Sequence, residues 1–235
     1  EYDRILLLEL AEVERASLVP ERRELRGEGE FVLRSGGMFF TGKDLWLDLE
    51  TGRVVFGEQT PLRWQIPTAA GGWIDGRSDG GGTVEELEDG GRRLVLPAAE
   101  LCELDLPAET GLEGSFRCRG FEAELDPALG EGGWIPRQAR GKAPSSWTGI
   151  LAGGRESSVF GQDAVLVWVG SVFHGIDLRG PLVAFLGEDE RGDEGGWLTA
   201  GGGAYLEAEG RELLLYGGVG GMLAEGWFET ETYRA

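Results

Sequence analysis

The chain has 235 residues, 41% of them hydrophobic and 8 of them Trp, and a net charge of −20 from 22 Lys and Arg against 42 Asp and Glu. This length allows one large domain or two small ones, and the apolar content excludes a disordered chain. The acidic balance opposes general attraction to DNA phosphates or anionic lipid.

Glu1 to Pro20, EYDRILLLELAEVERASLVP, predicts one amphipathic helix of about 18 residues closed by proline. At about 100° per residue, Tyr2, Ile5, Leu6, Leu10, Val13 and Ala16 form one apolar stripe. Leu7, Ala11 and Leu18 form a second stripe, separated from the first by Asp3 and Glu14. One face of such a helix would lie on its own sheet. The second would be buried within the same domain or would face a neighbouring subunit, which makes Leu7, Ala11 and Leu18 the candidate assembly face. The charged segment Glu21 to Glu30 extends the helix until Gly27 breaks it.

From Phe31 the pattern becomes that of strands. Glycine occupies 42 positions, far above its usual ~7%, and punctuates short apolar runs as turns do in β proteins. Phe31–Arg34 and Met38–Phe40 flank Gly36-Gly37. Leu45–Leu49 and Arg53–Phe56 flank Glu50-Thr51-Gly52, a hairpin signal, and Leu62–Ile66 ends at Pro67. The Gly71–Gly91 segment predicts loops at a domain boundary or insertion. Strands follow at Arg92–Leu96, Leu101–Leu106, Gly114–Arg119 and Phe121–Leu125, with prolines 97, 107, 127 and 136 at corners. After the acid-free stretch Gly133–Arg155, the apolar run Asp163–Val169 continues through Val172–Leu178. Further strands fall at Pro181–Leu186, Trp197–Thr199, Ala204–Glu207, Leu213–Tyr216 and Trp227–Tyr233. The expected fold is α+β and mostly β: an N-terminal amphipathic helix packed on an antiparallel sheet, with an inserted β-rich region, a sandwich or an irregular solenoid. The expected division is residues 1–70, the insertion 71–155, and residues 156–235 completing the first domain.

Enzyme signatures are missing. The single histidine, His174, alternates with Val172 and Ile176 in a strand, which suits a structural or surface role better than catalysis. No Gly-x-Ser-x-Gly elbow or Walker loop occurs, and zinc would need more His and Cys. Glu188, Asp189, Asp193 and Glu194 lack EF-hand spacing and read as a solvated turn. No metal, cofactor or catalytic residue is expected. One basic island stands out: WIPRQARGKAPSSW carries Arg137, Arg140 and Lys142 between Trp134 and Trp147. Cations at that spacing can follow phosphates while indoles stack on bases; alternatively the loop pairs with the protein's own carboxylates. Cys102 and Cys118, with 15 residues between them, are a candidate disulfide worth about 3 kcal/mol, or two buried thiols. No apolar run of membrane-spanning length occurs, and no signal peptide or initiating methionine is present.

The run LLLELAEVERASLVPERRELRGEGEFVLRSG (Leu6–Gly36) resembles the amphipathic second half of the N-terminal helix of type IV pilins and pseudopilins, passing into the first strands as in large minor pilins. The run DLRGPLVAF…WLTAGGGAYLEAEGRELLLYGGVGG (Asp177–Gly221) resembles the C-terminal β region of large minor pilins from competence systems of thermophilic bacteria. The resemblance implies a non-enzymatic subunit of a pilus-like filament, near its tip and engaging DNA during uptake. Its partners would be other pilin subunits through the N-terminal helix, at a periplasmic or extracellular location. Membrane contact would come only through a segment upstream of Glu1. A second resemblance is carried by LRGEGEFVLRSGGMFFTGKDLWLDLETGRVVFGE (Leu25–Glu58) and LTAGGGAYLEAEGRELLLYGGV (Leu198–Val219). Both are similar to the repeating strand pairs of lipopolysaccharide-transport jelly-rolls, and imply a periplasmic lipid carrier presenting an apolar β groove to acyl chains. A carbohydrate-active β enzyme is the further alternative, given the tryptophans.

Overall fold

The structure, a computed structural model, describes residues 8–35, 38–58, 61–68, 72–127, 134–170, 172–188, 195–216, 224–228 and 231–234. Among them the regular structure is β-strand with three short 3-10 turns and no α-helix, and no helix is long and apolar enough to cross a membrane. The expected α+β fold with an N-terminal helix is therefore corrected to an all-β one.

The correction is sharpest at the start. Leu8–Val19 is strand β1, paired antiparallel with β2 (Glu24–Ser35). Its register slips between Leu10 and Glu12 and again between Val13 and Arg15. The first slip adds a residue, Ala11, to β1, and the second adds one to β2, where Glu30 and Gly29 face the single residue Glu14, as β-bulges do. Leu10, Val13 and Ala16 lie opposite Leu33, Phe31 and Gly27, which are buried, while Val13 is half-buried and Ala16 is exposed. Apolar residues three apart in this bulged strand imitate a helical stripe in the sequence. Of the predicted assembly face, Leu7 lies outside the described residues, as does the side chain of Ala11, and Leu18 stands 58% exposed near the end of β1.

The chain divides into two compact units: Glu1–Glu103 with Gly120–Ala139, and Leu104–Arg119 with Arg140–Ala235. The sequence-based division at 70/71 and 155/156 differs, because Gly71–Gly91 is not a linker. It carries β6 (Trp73–Ser78) and β7 (Thr83–Glu86), which pair within the first unit.

In the first unit β2 pairs with β3 (Met38–Asp48), and β3 then carries two partners side by side. Its Leu45–Leu47 half pairs with β4 (Val54–Phe56), and its Phe39–Thr41 half pairs with β5 (Leu62–Pro67). The β3–β4 hairpin matches the expectation: Asp48 Oδ1 accepts the N–H groups of Glu50 and Thr51 at 2.8 and 3.2 Å. β4 pairs onward with β7 and β5 with β6, and both branches rejoin on β8 (Arg92–Leu106). Pro97 does not end that strand, contrary to expectation. Between its halves β3 bends at Asp44, a non-glycine residue at φ 58° whose Oδ1 accepts the Gly29 N–H at 2.8 Å. Gly57 and Gly81 continue the crease. A Cβ on Gly81 would fall 2.3 Å from the Gly57 carbonyl oxygen, so the backbones close only without side chains there. Across the crease the halves bury apolar rows against each other: Phe56 stacks on Phe40 at 5.2 Å and on Phe31 at 5.5 Å. β9 (Gly114–Pro127) supplies Phe121, which stacks on Trp64.

The second unit repeats this plan. The acid-free stretch forms a strand, β10 (Trp134–Leu151), which pairs with β11 (Arg155–Gly161) and with β12 (Ala164–Val169). The run expected to continue from β12 turns back as a hairpin with β13 (Val172–Arg179). The chain then crosses from one branch to the other along each successive pair of strands. β14 (Leu182–Leu186) and β15 (Gly196–Ala200) extend the β11 branch, and β16 (Gly203–Glu207) and β17 (Glu212–Leu215) extend the β13 branch. β18 (Ala224–Phe228) and β19 (Glu231–Arg234) return to the first branch. Alternation puts Val159, Ala184 and Leu198 on the buried side of one branch and Leu166, Ile176 and Leu206 on that of the other.

Candidate functional site

The first strands build a cleft of about 1010 Å³ on the first unit. Register sets Val13 opposite Phe31, Phe31 opposite Gly42, Glu30 opposite Lys43, and Val32 and Arg63 on either side of Thr41. These residues, with Glu14 and Pro61, line the cleft. Phe31, part of its lining, is itself a core residue, 3% exposed and stacked on Phe56. Gly42 makes that possible: a Cβ there would sit 3.2 Å from the Phe31 ring. The rim carries the cations Lys43 and Arg63 and the carboxylates Glu14 and Glu30. An apolar wall with a charged rim suits an amphipathic ligand, with hydrophobic burial supplying affinity and the rim orienting a headgroup. No cluster of three or more metal-ligating side chains occurs among the described residues.

The basic island lies along β10. Arg137 is held by carboxylates of its own unit, bonding Asp126 through Nε at 3.0 Å and Asp89 through Nη2 at 2.6 Å, with Glu124 at 4.0 Å. Its hydrogen bond holds the Asp89 carboxyl below the ordinary range, and the two aspartates push the arginine's own pKa further up. Arg140 and Lys142 are exposed, and the side chain of Trp134 lies outside the described residues. Trp147 is 0% exposed, so its indole is core and offers no face for a base to stack on. Of the predicted site residues, Trp147 is corrected to a core residue, because alternation along β10 turns it inward.

No disulfide joins Cys102 and Cys118. Both are buried thiols at 0% and 1% exposure, packed as small apolar side chains. His174 is an exposed strand residue, and residues 189–194 of the acidic turn lie outside the described residues. Sequence reasoning missed the cleft entirely. The signal that could have found it is the alternation of Thr41 with Lys43, one of only two lysines in the chain.

No family model, curated protein or solved structure matches this chain.

Proposed function

We propose that the protein is a non-catalytic carrier of acyl chains bearing an anionic headgroup, working in the cell envelope in the manner of the lipopolysaccharide-transport jelly-rolls that Leu25–Glu58 and Leu198–Val219 resemble. The observation that supports this reading is the order of strand pairing. Successive strand pairs alternate between two branches, pair antiparallel with earlier strands of the same branch, and bury an apolar row in each. In the first unit those rows meet, and the cleft lies beside Phe31, a member of that core. An acyl chain would lie along Val13 and Val32, with its headgroup at Lys43 and Arg63. The pilus reading depended on a helix that is instead β1, and it has no remaining structural support.

The test is a titration with the apolar fluorophore N-phenylnaphthylamine followed by displacement with lipid A. The expected result is a saturable fluorescence rise that lipid A reverses. The charge reversal Lys43→Glu/Arg63→Glu should weaken displacement roughly tenfold, as loss of two partly exposed ionic contacts does, and leave fluorophore binding intact. No saturable rise would remove the carrier reading.

A further inference from the structure

The outer face of the β11 branch in the second unit carries a surface that the carrier reading does not use. Register across β10, β11, β14 and β15 aligns Ser146, Phe160, Val183 and Thr199 in one row, and Thr148, Ser158, Phe185 and Trp197 in the next. The strands present these rows outward. Phe160, Val183, Phe185 and Trp197 are 47%, 36%, 52% and 39% exposed, while the intervening Val159 and Ala184 are fully buried. Neither row holds a charged residue, although 27% of the chain is charged. The rows consist of aromatic rings, one valine and hydroxyls, two of which (Thr148 and Ser158) lie 3.1 Å apart.

An outward sheet face in so acidic a protein would ordinarily be charged, and leaving aromatic rings in water is unfavourable without an occupant. Beyond the second row on β11 stands the exposed carboxylate Glu156, and the chain as a whole is at −20. An anionic polymer or anionic membrane would be repelled there. Three half-exposed aromatic side chains offer roughly 300 Å² of apolar surface, against about 800 Å² per partner for a stable protein interface. A second copy, also at −20, would gain too little contact and add repulsion.

We propose that this face binds a neutral polysaccharide chain. The apolar C–H faces of pyranose rings would lie on Phe160, Phe185 and Trp197, while ring hydroxyls would exchange hydrogen bonds with Ser146, Thr148 and Ser158. Strands lie about 4.8 Å apart, close to the length of one hexose unit, so a chain running obliquely from Phe160 in the first row to Phe185 and Trp197 in the second meets an aromatic ring from each of β11, β14 and β15. The Phe160 and Phe185 rings stand edge to face, with centroids 6.1 Å apart and planes at 80°. That notch fits a single curved chain and not the flat surface of a crystalline polymer.

The test is native electrophoresis of the full chain in gels containing hydroxyethyl cellulose or dextran, beside Phe185→Ala/Trp197→Ala and the control Trp46→Ala, which removes an exposed tryptophan of the first unit. One of the polymers should retard the wild type and the control equally. The double variant should bind roughly tenfold more weakly at an unchanged melting temperature. Should the double variant melt early, Trp197→Ser alone serves the same comparison. No retardation of the wild type by either polymer, or equal retardation of wild type and double variant, overturns the proposal. So does a wild type that sediments as a dimer while the double variant is monomeric, which would make a second copy the occupant.

Discussion

Phe56 is the side chain through which the two branches of the first unit hold together, and its truncation tests the folded-over arrangement directly. The ring is 1% exposed and sits between Phe40 at 5.2 Å and Phe31 at 5.5 Å, residues of two different strands that both lie across the crease from it. Phe→Ala in a core costs about 3–5 kcal/mol in transfer and cavity terms, and each lost stack adds about 0.5–1.5 kcal/mol. Phe56→Ala is therefore expected near the top of that range, about 5 kcal/mol. That is a third or more of a typical domain stability of about 5–15 kcal/mol. At about 2–4 °C per kcal/mol for a chain of this length, the melting temperature should fall by roughly 10–20 °C. Phe56→Leu keeps most of the volume and should cost about 1.5 kcal/mol. Urea unfolding followed by circular dichroism and by tryptophan fluorescence measures both variants. If both lie within about 1 kcal/mol of wild type, the branches do not pack against each other through Phe56, and the reasoning fails.

Gly81→Ala should destabilise by about 2–3 kcal/mol, read by urea midpoint, because the new Cβ would meet the Gly57 carbonyl at 2.3 Å. Trp147→Ala should cost about 3–5 kcal/mol in the same assay; a negligible cost would return the indole to the surface. The Tyr216 hydroxyl is pushed up to about 12, first by burial and then by the Asp177 charge. Its contribution to stability is complete below the unfolded tyrosine pKa of about 10 and is lost as pH rises through the folded value. Tyr216→Phe should therefore delete the last step of the tyrosinate absorbance titration and flatten the alkaline fall in stability. Asp89 is depressed by its hydrogen bond to Arg137, so its contribution is present above about pH 3.9 and disappears as pH falls through the folded value. Arg137→Ser should make stability less steep in acid, which melting curves across that range would show.

The strand pattern was legible wherever alternation ran uninterrupted. Leu45, Leu47, Val54 and Phe56 point inward across a hairpin whose turn was written as Glu50-Thr51-Gly52. Alternation was illegible where bulges broke the count, so Leu10, Val13 and Ala16 imitated a helix while pairing with β2. The basic island failed for another reason: local sequence shows which charges are near in the chain, not that Asp89 and Asp126 arrive beside Arg137 in space. The cleft was out of reach on the same grounds, since Val13, Phe31 and Arg63 come from three different strands.

By itself the sequence determined an acidic, turn-rich β protein with its apolar residues in short inward-facing rows, because side-chain alternation and glycine conformational freedom are local properties. Only the tertiary structure decided that the opening segment is a strand, that Trp147 is core, and that Phe160, Phe185 and Trp197 share one outer face. Each of those depends on register between strands distant in the chain, and a single inserted residue changes the face to which every later side chain points.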